Sequence, residues 1–143
     1  RAPGAMVIAA DNTLGHGDLT GRYAGLRVMN AALLNRFGYK VAFTFLPLQQ
    51  EIDAVVNHTQ CSPALAAAVM RVISTARAKV STGDLVDAPS IRDVIAWVRG
   101  MGILGVRGAW DATVAASQPA ESAVAVEGIY VAEVNEAEIA ALL

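Results

Sequence analysis

Apolar residues fall into strand-like runs at 5–10 and 40–46, with a helical spacing between them. "AMVIAA", 5–10, is a short uninterrupted apolar run, which suits a strand buried on both faces of a parallel sheet. Residues 11–25 are polar and glycine-rich and read as a loop. Over 26–36, Leu26, Met29, Leu33 and, less regularly, Leu34 keep helical spacing, and Phe37-Gly38 supplies the stop. "KVAFTFL", 40–46, alternates Val41, Phe43 and Phe45 and is rich in strand formers; Pro47 closes it. From Leu48 onward the period changes. The spacing predicts helices over 48–57, 63–80, 90–100 and 106–116, with weaker ones near 120–130 and 136–143. Pro47 is therefore the expected boundary between an α/β piece, 1–47, and a helical piece, 48–116, followed by a helical extension, 117–143. There are no internal repeats, and the alanine-rich tail 115–143 still carries apolar side chains to bury.

Composition narrows the class. The chain has 143 residues, 55% of them hydrophobic and 17% charged, which is too apolar for disorder and normal for a packed core. A net charge of −2 gives no electrostatic reason to expect nucleic acid or an anionic membrane as partner. The single cysteine, Cys61, rules out an intrachain disulfide and fits a reducing, cytoplasmic compartment. No apolar run is long enough to span a membrane, and the one in "RAPGAMVIAA" is too short for a signal peptide. Arg1-Ala2-Pro3-Gly4 leads straight into a strand without an initiator methionine, so the expectation is a piece of a longer protein.

A strand followed by a glycine loop invites a phosphate-binding reading, but neither standard loop fits. A P-loop needs G-x-x-x-x-G-K-[ST], and no lysine occurs before Lys40. The dinucleotide pattern G-x-G-x-x-G would use Gly15 and Gly17, but its third glycine position is Thr20. An ordinary flexible surface loop remains open as an alternative.

Residues 8–37, "IAADNTLGHGDLTGRYAGLRVMNAALLNRF", carry a more specific signal. The strand ends Ala9-Ala10-Asp11-Asn12-Thr13, and the loop supplies Gly15, Gly17, Asp18, Thr20, Gly21, Tyr23 and Gly25. The helix ends Asn35-Arg36-Phe37. In this register the stretch resembles the second half of the nucleotide-binding core of AAA+ ATPases. It is most similar to the MoxR-type clade that contains the cobaltochelatase small subunit. The resemblance extends over roughly 3–116, with one departure: Asn35 stands where that family usually has Asp.

The resemblance implies a fold of α/β plus α: the last parallel strands of an AAA+ P-loop NTPase core, then a helical lid. It implies Asn12 as sensor 1, an amide at a strand end that can bond both the γ-phosphate and the attacking water. Parallel sheets bind ligands at that end, although Asn also favours tight turns after strands. It implies Arg36 as the arginine finger reaching a neighbouring subunit's ATP, since a planar, permanently charged guanidinium spreads over phosphate oxygens. A cation ending a helix would also simply complement its dipole. Arg22 and Arg27 are weaker candidates for interface roles.

Arg92 has an independent physical oddity. In "APSIRDVIAWVRG", Ser90 and Asp93 have capping-box spacing, which puts Arg92 in the first turn, where a cation opposes the helix dipole by about 0.3–1 kcal/mol. The P-S-x-R stretch resembles the sensor 2 motif, whose arginine leans from the lid onto the γ-phosphate. The plain alternative is an exposed arginine paired with Asp87 or Asp93.

Other residues carry weaker signals. His58 and Cys61 have metal-compatible spacing but no companions, and His16 sits alone. Trp97 and Trp110 fall on apolar helical faces and are expected in the core. Glu127, Glu133, Glu136 and Glu138 read as a solvated face.

The lysine loop and the acidic strand end that hold ATP and Mg²⁺ in AAA+ enzymes are absent from this stretch, and in family order they precede it. The resemblance therefore implies an ATP hydrolase in which this chain supplies sensors, finger and lid, and is inactive alone. It also implies a homo-oligomeric ring, a hexamer in expectation, working on a protein partner or chelatase subunit. The competing expectation is a non-catalytic helical interaction domain that keeps only the AAA+ scaffold.

Overall fold

A computed structural model describes residues 4, 6–10, 16 and 27–143. The chain divides into two compact units, Arg1–Phe45 and Leu46–Leu143.

In the first unit the one regular element among the described residues is α1, Ala31–Leu34. Asn30 sets its start: its ψ of 131° is non-helical, and its side chain accepts the Ala32 N–H at 2.8 Å. The predicted helix 26–36 is thus shorter in its described part, because an asparagine cap competes with helix continuation. Beyond α1, Arg36 and Phe37 close i→i+3 bonds onto Leu33 and Leu34, a tighter final turn.

Of the strands expected at 5–10 and 40–46, the described residues, 6–10 and 40–46, carry no ladder. Met6, Ile8 and Phe43 are 80%, 84% and 94% exposed. A parallel strand is defined by neighbours on its edges and layers on its faces. The described residues of this unit supply no such neighbours. The apolar run and the alternation persist as sequence without the pairing that would make them strands.

The second unit is helical throughout. α2 (Leu48–Thr59) starts at Pro47 and stops at Gln60, whose φ of 60° is left-handed. The Gln60 side chain donates to the Asn57 carbonyl at 2.7 Å, satisfying one of the helix's last acceptors. α3 (Pro63–Ser81) has Ser62 accepting the Leu65 N–H, and proline at the first helical position. α4 (Ile91–Trp110) opens with a complete capping box. The Ser90 N–H donates to Asp93 Oδ2 at 2.8 Å, and the Asp93 N–H donates to Ser90 Oγ at 3.4 Å.

α4 is not one rod. Gly105 has φ 72° and ψ 172°, values open to glycine, and the chain folds back there. In a straight helix, residues nine apart lie about 13.5 Å apart. Here the Trp97 Nε1–H donates to the Val106 carbonyl at 3.0 Å. A Cβ added to Gly100 would sit 3.0 Å from Ala109 Cβ, so a larger residue would push the two arms apart by a few tenths of an ångström. The second arm continues into a π-helical turn, Asp111–Ala115. A 3₁₀ turn (Ala120–Ser122), α5 (Ala123–Glu133) and α6 (Glu136–Ala140) complete the chain.

The core collects one stripe from each element. Val55 comes from α2; Leu65, Val69, Val72, Ile73 and Ala76 from α3; Val94, Trp97 and Met101 from the first arm of α4. Trp97 and Trp110 meet edge-to-face at 4.9 Å between centroids, and both are buried. Val126, Ile129, Tyr130 and Ile139 from α5 and α6 join the same cluster. The Ser122 hydroxyl accepts the Val86 N–H, and Ser62 donates to the Leu142 carbonyl. Residues 117–143 are thus built into the core of the helical unit. Among the described residues, no helix is long and apolar enough to cross a membrane.

Candidate nucleotide-sensing residues

Asn12 lies outside the described residues, as do Arg22 and most of the glycine loop. Arg36 and Arg27 belong to the first unit and Arg92 to the second.

Arg36 is exposed just past α1 and lines an apolar hollow of its own unit, beside Leu33, Phe37 and Val41. Its side chain has no hydrogen-bond or ion-pair partner among the described residues. A helix of four residues has few aligned peptides, so dipole compensation is a weak reason for a cation there.

Arg92 is the second residue of α4 and is exposed. Both carboxylates proposed as its plain partners have other uses. Asp93 Oδ2 accepts from the Ser90 N–H and the Ser90 hydroxyl, each at 2.8 Å. Asp87 has an interaction of its own. Arg92 therefore stands at the positive end of a helix of ordinary length with no described partner, where an anion would satisfy both the guanidinium and the helix end.

These two arginines have the chemistry to meet phosphate oxygens. The described residues offer no counterpart for Mg²⁺, since no group of three or more His, Cys, Asp or Glu among them could hold a metal ion. His58 is exposed and Cys61 half-buried; the His58 carbonyl accepts from Arg99 Nη2 at 2.7 Å.

Two charged clusters escaped the sequence reading. In the first, Arg77 Nη1 donates to Glu51 Oε2 at 2.6 Å, with 12% and 5% of the side chains exposed, and Arg77 Nε donates to the Pro89 carbonyl at 3.0 Å. Removing one partner of such a buried pair costs about 3–5 kcal/mol, because the other charge is left desolvated. The second centres on Arg107. Its Nε reaches Asp111 Oδ2 at 2.9 Å, and Nη1 and Nη2 form a fork on Glu127 at 2.9 and 2.7 Å. Its guanidinium lies 4.5 Å from the Tyr130 ring centroid, and the Tyr130 hydroxyl donates to Glu136 Oε1 at 2.7 Å.

Glu127 and Glu136 are therefore not merely a solvated face: Glu127 ties α5 to the second arm of α4, and Glu136 ties α6 to α5. The bonds from Glu127, then Asp111, raise the Arg107 guanidinium further above its ordinary range. Burial, then the bond to Glu136, pushes the Tyr130 phenol up. Only Arg107 and Asp111, spaced i,i+4, were pairable from sequence spacing alone.

Comparison with known proteins adds one relationship. No family model matches the chain, and no solved structure matches it. The aerobic cobaltochelatase subunit CobS of Sinorhizobium sp is 32% identical over 108 residues, which cover 72% of this chain and 32% of that protein. The chain thus spans about a third of the length of the relative it matches. Over the greater part of its length, this chain is related in sequence to CobS.

Proposed function

We propose that this chain is the C-terminal part of an AAA+ motor of the MoxR type, related to cobaltochelatase. It contributes Asn12 as sensor 1, Arg36 as arginine finger and Arg92 as sensor 2. Residues 1–47 belong to the end of the α/β core, 48–116 form the lid, and 117–143 extend it. The observation that carries this reading is the 32% identity to CobS over 108 residues. The unpartnered guanidinium of Arg92 in a first helical turn gives it physical support.

In this reading ATP and Mg²⁺ are held mainly by residues that precede the chain. Arg92, in the same subunit as the lid, binds the γ-phosphate in the ground state and in the transition state. Arg36, acting across a subunit boundary of a hexameric ring, meets charge that develops during transfer. A finger of this kind is worth about 10³–10⁵ in rate in other phosphoryl-transfer enzymes. The ring works in the cytoplasm on a protein partner or chelatase subunit.

The test separates the two arginines. In the full-length ATPase, Arg36→Ala abolishes turnover with ATP affinity nearly unchanged, whereas Arg92→Ala weakens ATP binding and slows turnover. The 143-residue chain alone is expected to hydrolyse no ATP and, by calorimetry, to bind it weakly at most. Tight, magnesium-dependent binding by that chain would refute the division of labour. If neither arginine affects ATP binding or turnover, the chain is a helical interaction domain on an AAA+ scaffold.

A further inference from the structure

We propose that Arg77, locked by Glu51, is a positioning residue for Arg92. This rests on the sensor role of Arg92 given above. The guanidinium of Arg77 is largely buried and donates in two directions, to Glu51 Oε2 at 2.6 Å and to the Pro89 carbonyl at 3.0 Å. Pro89 immediately precedes Ser90, the N-cap of α4, and Arg92 follows two residues later. One side chain of α3 therefore joins α2 to the peptide from which the Arg92 turn begins. Seven residues past Arg92, Arg99 Nη2 donates to the His58 carbonyl in the last turn of α2 at 2.7 Å.

α4 is thus tied to α2 at two points, one on each side of Arg92, and the nearer tie runs through Arg77. Nothing in helix formation requires a side-chain hydrogen bond to the Pro89 carbonyl, because the capping box already satisfies the first turn. What the strap adds is a fixed place for that turn relative to α2. A planar fork suits this better than an ammonium, since its donors point in set directions.

The experiment is a double-mutant cycle in the full-length ATPase, reading the Kd for a non-hydrolysable ATP analogue on folded protein. Arg77→Lys keeps a charge beside Glu51 but loses the fixed two-way geometry. It is expected to raise Kd about tenfold, within the range for directly coupled residues. The double variant Arg77→Lys/Arg92→Ala should bind no more weakly than Arg92→Ala alone. A merely structural role lowers the folded fraction and leaves Kd unchanged, and that result overturns the proposal, as does full additivity. Should Arg77→Lys not fold, Glu51→Gln must give the same non-additive rise, and its failure to do so is equally decisive. Arg92→Ala without effect on Kd removes the sensor reading and the positioning role together. Arg92→Ala with effect and Arg77→Lys without removes the positioning role alone.

Discussion

Replacing each tryptophan in turn by phenylalanine isolates the worth of one hydrogen bond. Trp97 and Trp110 are 0% and 1% exposed and face each other, so either change removes the same indole volume from the same core and perturbs the same edge-to-face contact. Their N–H groups differ. Trp97 Nε1 donates to the Val106 carbonyl at 3.0 Å and closes the fold-back at Gly105, whereas Trp110 Nε1 is buried without a partner among the described residues. Trp97→Phe therefore loses a bond worth about 1 kcal/mol net, while Trp110→Phe removes a donor whose unsatisfied burial costs about 1–3 kcal/mol. The shared cavity cost cancels in the comparison, but Trp110 also packs on the Tyr130 ring at 5.4 Å, a contact worth about 0.5–1.5 kcal/mol. Trp97→Phe is therefore less stable than Trp110→Phe by about 0.5–3.5 kcal/mol. For a unit of this size that is at least about 2 °C in Tm. Urea unfolding of the whole chain by far-UV circular dichroism measures the difference, with fluorescence of the remaining tryptophan as a second probe. Equal losses, or a larger loss for Trp110→Phe, would refute the reasoning.

Tyr130 has its phenol raised above the ordinary value of 10.0, first by burial and then by its bond to Glu136. Its contribution is complete below that ordinary value and declines above it, where the unfolded chain ionises and the folded chain resists. Urea midpoints above about pH 10 should therefore fall less steeply in Tyr130→Phe than in the parent chain. Asp84 is held below its ordinary 3.8, first by the Thr82 hydroxyl and then by Lys79. Its contribution is present above that value and vanishes as pH falls through the lowered one, so Asp84→Asn should flatten the acid limb below about pH 4. A carboxyl NMR titration of Asp84 with its midpoint at or above the ordinary value would contradict the assignment.

Local signals in the sequence were enough for much of the helical unit. Ser62-Pro63 and Ser90 with Asp93 fix helix starts through contacts three residues apart, and the 65, 69, 72, 73, 76 spacing marks a buried stripe. The two arms of α4 were legible as separate periodic runs, 90–100 and 106–116, because Gly105 interrupts the pattern. The charged clusters were not. Glu51 and Arg77 are 26 positions apart and Arg107 and Glu127 are 20 apart, and such pairings depend on how whole helices pack. The same holds at 40–46, where alternation of Val41, Phe43 and Phe45 states a preference that only partner strands can realise. At the candidate site, the capping box drew attention to Arg92 through an unfavourable position. Arg77, which holds the preceding peptide, gave no sign in sequence, because an arginine amid α3 looks like any solvated one.

A mixed-ring measurement tests most directly whether this chain serves nucleotide sites across a subunit boundary. In the full-length ATPase proposed above, subunits carrying Arg36→Ala would be combined with subunits lacking the P-loop lysine, each expected to be inactive alone. If Arg36 is a finger, some boundaries then join an intact pocket to an intact arginine, and part of the ATPase activity returns as the mixing ratio approaches equality. No recovery in mixed rings that assemble normally would contradict the finger role and leave Arg36 as a charge at the end of a short helix.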